Sequence, residues 1–291
     1  AHQKAADYTL AKGRFGLLSA AFAAAVLVGW TLLGGLDALN QWVLAAVQPR
    51  LGDLGYQLAL LAAFALVGAA IELPFEWWDT FRLEQRFGFN RMTPKLFVAD
   101  LLKNTVVAAV IGLPLAALVL WLMARAGAWW WLWAWGVWMG FNLLLLVIYP
   151  TLIAPLFNKF EPLADEGLRA RVQALMQRCG FAAKGLFVMD GSRRSAHANA
   201  YFTGLGAAKR VVFFDTLLAR LSPAEVEAVL AHELGHYRHR HVLKRIAGLF
   251  AFSGAALALL GWLAGSSAFY QGLGVQPNLD DRFPYVLRSL S

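Results

Sequence analysis

Charge, cysteine and late acidic residues are all scarce in this chain. Only 15% of its 291 residues are charged, against roughly 25% in soluble domains, which excludes an ordinary soluble globular protein. A single cysteine, Cys179, excludes an internal disulfide framework; it reads as a small buried hydrophobe. No glutamate follows Glu233, and the only later acids are Asp280 and Asp281. That scarcity bears on any metal site in the second half of the chain.

Apolar residues fill the space that charge leaves. They make up 59% of the chain, and the mean hydropathy is +0.53. Crossing a bilayer takes about 20 apolar residues, and five stretches qualify: Phe15–Leu36, Leu54–Leu73, Thr105–Ala124, Ala128–Pro150 and Ile246–Phe269. The first is too long for a cleavable signal peptide. The fourth opens with Trp129, Trp130, Trp131, Trp133 and Trp135, residues that favour the membrane–water interface. Gly136 and Gly140 then offer a G-x-x-x-G seat for a neighbouring helix. Asn142 reads as a bond to a neighbouring helix, and Glu72, Glu76 and Asp79 as partners for Arg82 or Arg86 at the interface.

Basic residues alternate from loop to loop. Lys4, Lys12 and Arg14 precede the first span, and Arg82, Arg86, Arg91, Lys95 and Lys103 follow the second. Fourteen lysines and arginines lie from Lys159 to Arg245, whereas the intervening loops carry only Arg50 and Arg125. The positive-inside rule puts the N-terminal segment, the 79–104 loop and the 151–245 region on the cytoplasmic side. The net charge of +8 is thus a topology signal. Dispersed basic residues that flank spans do not make a nucleic-acid surface.

Residues 151–245 read as an α+β lobe. Leu163–Cys179 is amphipathic and stops at Gly180. Gly185–Asp190 and Arg210–Phe214 are short apolar strands, with Ala198–Thr203 between them and turn residues Gly204 and Gly206 after it. Ser222, Pro223 and Glu225 spell a capping box that launches a helix.

That helix carries His232-Glu233-Leu234-Gly235-His236, an H-E-x-x-H. Histidines four apart share a helix face, so both imidazoles reach one zinc ion, and the glutamate between them takes a proton from zinc-activated water. A chance match on an amphipathic helix and a buried pair of structural histidines are the bland readings. The longer zincin pattern fails, since position 239 is His and position 242 is Val. His239 and His241 read as solvated or headgroup-facing. The segment Ala198-Asn199-Ala200-Tyr201 is either an edge strand that hydrogen-bonds an extended peptide or an ordinary sheet strand. An intramembrane protease of the site-2 type would need the motif inside an apolar span, and the cluster Arg238–Arg245 opposes that.

Several segments resemble the type I CAAX prenyl proteases, multi-span membrane zinc endopeptidases. They are Phe81–Asn90 (FRLEQRFGFN), Ile153–Phe160 (IAPLFNKF), Ser192–Phe202 (SRRSAHANAYF), Val212–Leu217 (VFFDTL) and Ala228–His236 (AVLAHELGH). The resemblance runs from about Tyr8 to Phe269. It implies seven transmembrane helices around a water-filled chamber and cleavage near a C-terminus that is lipidated in eukaryotic members. It implies that His232 and His236 bind zinc, that Glu233 is the catalytic acid/base, and that His197, Asn199 and Ala200 lie along the substrate. Arg193 and Arg194 are expected either to face the substrate's acidic terminus or simply to be solvated. The family's first span precedes residue 1, and its late glutamate ligand, a nearby aspartate and a further histidine fall beyond Ser291. The resemblance therefore implies an interior fragment holding five of seven spans. With two ligands in sequence, these residues alone are expected to bind zinc weakly, and a truncated or degenerate non-catalytic membrane protein is the alternative.

The expected fold is mainly α, a polytopic transmembrane bundle with a small α+β zinc-protease lobe at the membrane interface. Residues 1–150 form four spans, 151–245 the lobe, and 246–291 the fifth span and tail. The expected cofactor is one Zn2+. The expected partners are a peptide or protein substrate, with or without a C-terminal lipid, and the lipid bilayer, with no nucleic acid. An Ala/Leu/Gly/Arg bias, common in bacterial proteins, leads to the expectation of a bacterial inner membrane, and because bacteria generally lack prenylated CAAX proteins it points to cleavage of other membrane-associated peptides.

Overall fold

The computed structural model describes residues 2–181, 183, 185–203, 209–238 and 241–274. They fall into two compact units, one within residues 1–87, 101–137 and 253–291, the other within 88–100 and 138–252. The second unit thus takes in residues 88–100 and 138–150, which lie outside the 151–245 stretch read as the lobe.

Long apolar runs form long helices: α1 (His2–Thr31), α2 (Gly35–Trp78), α3 (Pro94–Arg125) and α4 (Trp130–Ile148). Among the described residues five helical stretches can cross a membrane: Gln3–Thr31, Gly35–Phe87, Pro94–Arg125, Gly127–Phe157 and Leu243–Leu263. The five expected spans fall on these five, with shifted ends. The first stops at Thr31 because Gly34, at φ 77°, turns the chain into α2. Leu17, Leu33, Phe252 and Trp262 are 74–79% exposed, a surface that only hydrocarbon can cover. The chain is an integral membrane protein.

Helix α2 is bent. In a straight helix Val43 and Tyr56 would stand about 20 Å apart, yet Val43, Tyr56 and Leu60 share one buried cluster. Gly52, at φ 67° and ψ −171°, breaks the helix between them, and the Tyr56 hydroxyl donates to the buried Asn40 carbonyl. Beyond Trp78 the helix widens into a π turn, Asp79–Glu84. Asp79 pairs with Lys12 of α1 at 2.9 Å, and Lys12 also reaches Glu84 at 2.7 Å. The expected partners Arg82 and Arg86 instead lie over the rings of Trp78 and Phe87. Gly136 and Gly140 seat no helix among the described residues, since a Cβ at either would meet open space. Close approach occurs on the fifth span, where a Cβ at Gly254 or Gly261 would stand 3.1 or 2.7 Å from Trp135 or Trp131. The Asn142 amide donates to the Trp138 carbonyl of its own helix rather than to a neighbour.

In the second unit, β1 (Phe160–Pro162), β2 (Gly185–Met189), β3 (Ala200–Thr203) and β4 (Arg210–Phe214) form one sheet, ordered β1-β2-β4-β3. β2 and β4 are parallel; the outer pairs are antiparallel. Strand β4 is central, so Val211, Val212 and Phe213 are all buried, on both faces. Helix α5 (Glu166–Arg178) lays the stripe Leu168, Val172, Leu175 and Met176 on this core. Asp165 caps it by accepting from the Leu168 amide at 2.9 Å.

Cys179 is exposed, not buried. It continues the i+4 stripe of α5, but the helix stops there. Gly180, at φ 64°, turns the chain, the Phe181 amide donates to the Met176 carbonyl, and the Gly180 amide donates to that of Gln177. Phe181 therefore fills the core position that Cys179 would have taken. The described elements finish with α6 (Asp215–Leu218), α7 (Pro223–Arg238), α8 (His241–Leu263) and α9 (Ser267–Gly272).

Candidate active site

Helix α7 carries the H-E-x-x-H, and its start is built as the sequence suggests. The Ser222 amide donates to Glu225 Oε2 at 2.8 Å, and the Glu225 amide reaches Ser222 Oγ at 3.4 Å. Hydrogen bonds from the Ser222 amide and hydroxyl hold the Glu225 carboxyl below its usual range, so the cap is strongest above that range and weakens as pH falls through it. Ser222→Ala should destabilise the helix by about 1 kcal/mol, read as a lowered Tm of the detergent-solubilised protein.

Burial orients the helix. Val226, Leu230 and Leu234 are 0–1% exposed and advance along one narrow stripe. At about 100° per residue, positions 232 and 236 lie about 40° from each other and on the side opposite that stripe. Glu233 falls between the two faces. His232 is exposed and Glu233 half-buried, as this rotation requires. The helix is unbroken from Pro223 to Arg238, so positions 232 and 236 are one turn apart on a single face. The His236 side chain, His239 and the side chain of His241 lie outside the described residues, as do Gly204, Gly206 and residues 275–291. Among the described residues no three His, Cys, Asp or Glu side chains gather as metal donors.

Strand β3 packs beside α7 and is an edge strand, paired only with β4 among the described strands. The segment entering it, His197–Asn199, is exposed, whereas Ala200 is buried. Its backbone is tied down from the core side. Thr216 Oγ1 donates to the His197 carbonyl at 2.7 Å, and the Phe214 amide to the Asn199 carbonyl at 2.9 Å. The Asn199 side-chain oxygen accepts from the Ala200 amide at 2.9 Å. The His197 ring stacks on Phe89, with centroids 4.3 Å apart. Burial pushes the Tyr201 phenol up to about 12, with Tyr149 adding to the shift, so it stays neutral near pH 7. An apolar cavity of about 260 Å3 opens at the last residue of β3, Thr203, lined also by Leu145, Leu146, Tyr149, Ile246 and Leu249.

The two arginines of the SRRSAHANAYF segment differ: Arg193 is exposed, in line with the solvated reading, whereas Arg194 is not. Arg193 pairs with Asp190 at 3.2 Å. Arg194 turns inward to Asp100 at 2.7 Å, so it is neither solvated nor aimed at a substrate terminus. Sequence reasoning also passed over Asp215 and Thr216. Asp215 accepts from the Ser192 amide at 2.9 Å and from the Ser192 hydroxyl, and so holds the turn ahead of the exposed segment. VFFDTL was legible as a motif, but nothing in it named those partners.

Residues 1–159 match the family described as CAAX prenyl protease N-terminal, five membrane helices, and residues 162–279 match peptidase family M48. The chain belongs to peptidase family M48. It is 39% identical over 202 residues to CAAX prenyl protease 1 homolog of Arabidopsis thaliana, an alignment covering 67% of this chain and 48% of the relative. It is 31% identical to CAAX prenyl protease 1 of Saccharomyces cerevisiae over 98% of this chain and 67% of that one. A crystal structure of S. mikatae Ste24p superposes with a TM-score of 0.87 at 30% identity, covering 98% of this chain and 69% of the other. The chain thus spans about half the length of the Arabidopsis relative and about two thirds of the yeast proteins. In this M48 chain the two matches meet close to Phe160, where the first strand, β1, begins.

Proposed function

We propose that the chain provides the catalytic helix and substrate strand of a zinc-dependent membrane endopeptidase, with residues 151–245 as its catalytic lobe. The observation that carries this reading is the H-E-x-x-H on one uninterrupted, capped helix beside an edge strand whose entering segment, His197–Asn199, is exposed. Imidazole nitrogens suit zinc, and positions 232 and 236 share the face turned away from the core, so the residues present fit the ion. His232 and His236 would hold it. A zinc ion held there supplies Lewis acidity that brings the pKa of water toward neutrality and polarises a carbonyl. Glu233, at the border between the buried stripe and the histidine face, accepts the proton of the attacking water and returns it to the leaving amine.

The edge of β3 that no other described strand pairs with, entered through His197, Ala198 and Asn199 and continued by Ala200, binds the peptide in extended form by strand addition. The cavity beside Thr203 supports a substrate with an apolar group, and the names of the relatives support a C-terminally lipidated one. The basic loops support a lobe on the cytoplasmic side, and the Ala/Leu/Gly/Arg bias supports a bacterial inner membrane.

The experiment is metal analysis beside peptide cleavage in phospholipid vesicles. In the complete protein, His232→Ala should lower zinc per chain at least tenfold relative to the parent and lower cleavage with it. Unchanged zinc in that variant would remove His232 from the site.

A further inference from the structure

Three residues ahead of the exposed segment His197–Asn199, the half-buried guanidinium of Arg194 gathers contacts from two distant stretches of chain. Arg194 Nε donates to Asp100 Oδ2 at 2.7 Å and Nη2 to Asp100 Oδ1 at 3.0 Å. Nη1 donates to Asn158 Oδ1 at 2.8 Å, and Nη2 to the Phe157 carbonyl at 2.7 Å. The two side chains of the ion pair are 19% and 11% exposed. Asp100 lies in the early turns of α3, and Phe157 and Asn158 close the α4 stretch. One side chain thus ties the loop ahead of β3 to the ends of two spanning helices.

The backbone around it repeats the tie. The Arg91 amide donates to the Arg194 carbonyl at 3.1 Å, and the Ala196 amide to the Phe89 carbonyl at 2.9 Å. Asn90 and Ser195 form an isolated antiparallel bridge. Phe89–Arg91 therefore lies along Arg194–Ala196 as a short second strand, and the next residue, His197, is the one stacked on Phe89. A planar fork that binds one carboxylate bidentately and also reaches a side-chain amide oxygen and a backbone carbonyl is a task for arginine and not for lysine.

We propose that Arg194, with Asp100 and Asn158, is a positioning residue that sets the register of the substrate-binding segment 197–200 against the ends of the spanning helices. This rests on the reading of that segment as the peptide-binding strand. Arg194 touches no substrate; it acts through the Ser195–Ala196 backbone. A displacement of the strand of about 1 Å is enough to lower productive binding by orders of magnitude.

The test uses Arg194→Lys, which keeps the charge and loses the fork, and the paired variant Asp100→Leu with Arg194→Met, which removes both charges together. The pair guards against the misfolding that one orphaned buried charge would cause. Hydrogen exchange followed by mass spectrometry reads residues 195–200 in vesicles, and peptide hydrolysis reads KM and kcat. Exchange at 195–200 should quicken about tenfold or more in both variants while α5 and β2 stay protected, and KM should rise about tenfold, more than kcat falls. Unchanged exchange at 195–200 overturns the proposal, and so does an equal loss of protection across the whole lobe. Exchange needs no catalysis, so a protein that cleaves nothing refutes the peptidase reading while the exchange data still judge the positioning role.

Discussion

Glu233→Gln should lower peptide cleavage by about 10²- to 10⁴-fold, the usual worth of a general base, and leave the zinc content of the protein unchanged. The substitution keeps size and hydrogen-bonding capacity but cannot accept a proton from water. The helix face makes the separation clean. Glu233 falls between the buried stripe of Val226, Leu230 and Leu234 and the side that carries positions 232 and 236, so changing it disturbs neither packing nor donors. Its half-buried setting predicts a Tm close to that of the parent. The measurement is kcat with a synthetic peptide, beside metal per chain on the same preparation. Retained cleavage would take the proton-transfer role from Glu233. Lost cleavage together with lost metal would mean that the glutamate supports the site rather than the reaction.

Leu230→Ala should destabilise the second unit by about 2–5 kcal/mol, the range for truncating a buried leucine. Leu230 is fully buried on the inner face of α7. It belongs to the cluster that joins α7 to α5 and the sheet through Val172, Leu175, Val211 and Phe213. Losing it leaves a cavity behind the motif helix, so the histidine face loses its fixed support as well as stability. Chemical denaturation followed by tryptophan-independent amide exchange of α5 and β4 measures the loss. A change under about 1 kcal/mol would mean that α7 does not seat on this core. His232 is exposed on the other face, so His232→Ala should leave the same stability almost untouched, and the two variants separate folding from metal binding.

What the sequence made legible was periodic or local. Apolar length found the five spans, alternation and turn residues found Gly185–Met189 and Arg210–Phe214, and the Ser222–Glu225 capping box found the start of α7. Each of these is decided within a few residues by geometry that the side chains themselves dictate. The misreadings arose where a partner comes from far along the chain. Asp79 takes Lys12, 67 residues away, instead of the arginines a turn ahead of it. Arg194 takes Asp100, 94 residues away, instead of solvent or substrate. Gly254 and Gly261 receive Trp135 and Trp131, whereas Gly136 and Gly140, read as the seat for a neighbouring helix, meet open space. Cys179 sits on the apolar stripe by count, and only the turn at Gly180 reveals that Phe181 replaces it. The break at Gly52 falls between the first two expected spans, beside Arg50 and Asp53; what was hidden is that helix continues on both sides of it, from Gly35 to Trp78. Of the candidate site, residue types and the shared helix face were readable; the clamp that holds His197–Asn199 was not, because it is made by three segments that only the fold brings together.

The most direct measurement of the central claim is peptide hydrolysis in water enriched in oxygen-18, with the protein in phospholipid vesicles and a defined peptide ending in an apolar or lipidated residue. Hydrolysis by activated water places one heavy oxygen in the newly formed C-terminal carboxylate, and chelation followed by zinc addition should abolish and then restore that product in mass spectra. Intact peptide throughout, or cleavage that persists unchanged in the Glu233→Gln protein and under chelation, would contradict the assignment of His232, Glu233 and His236 as the working centre of a membrane zinc peptidase.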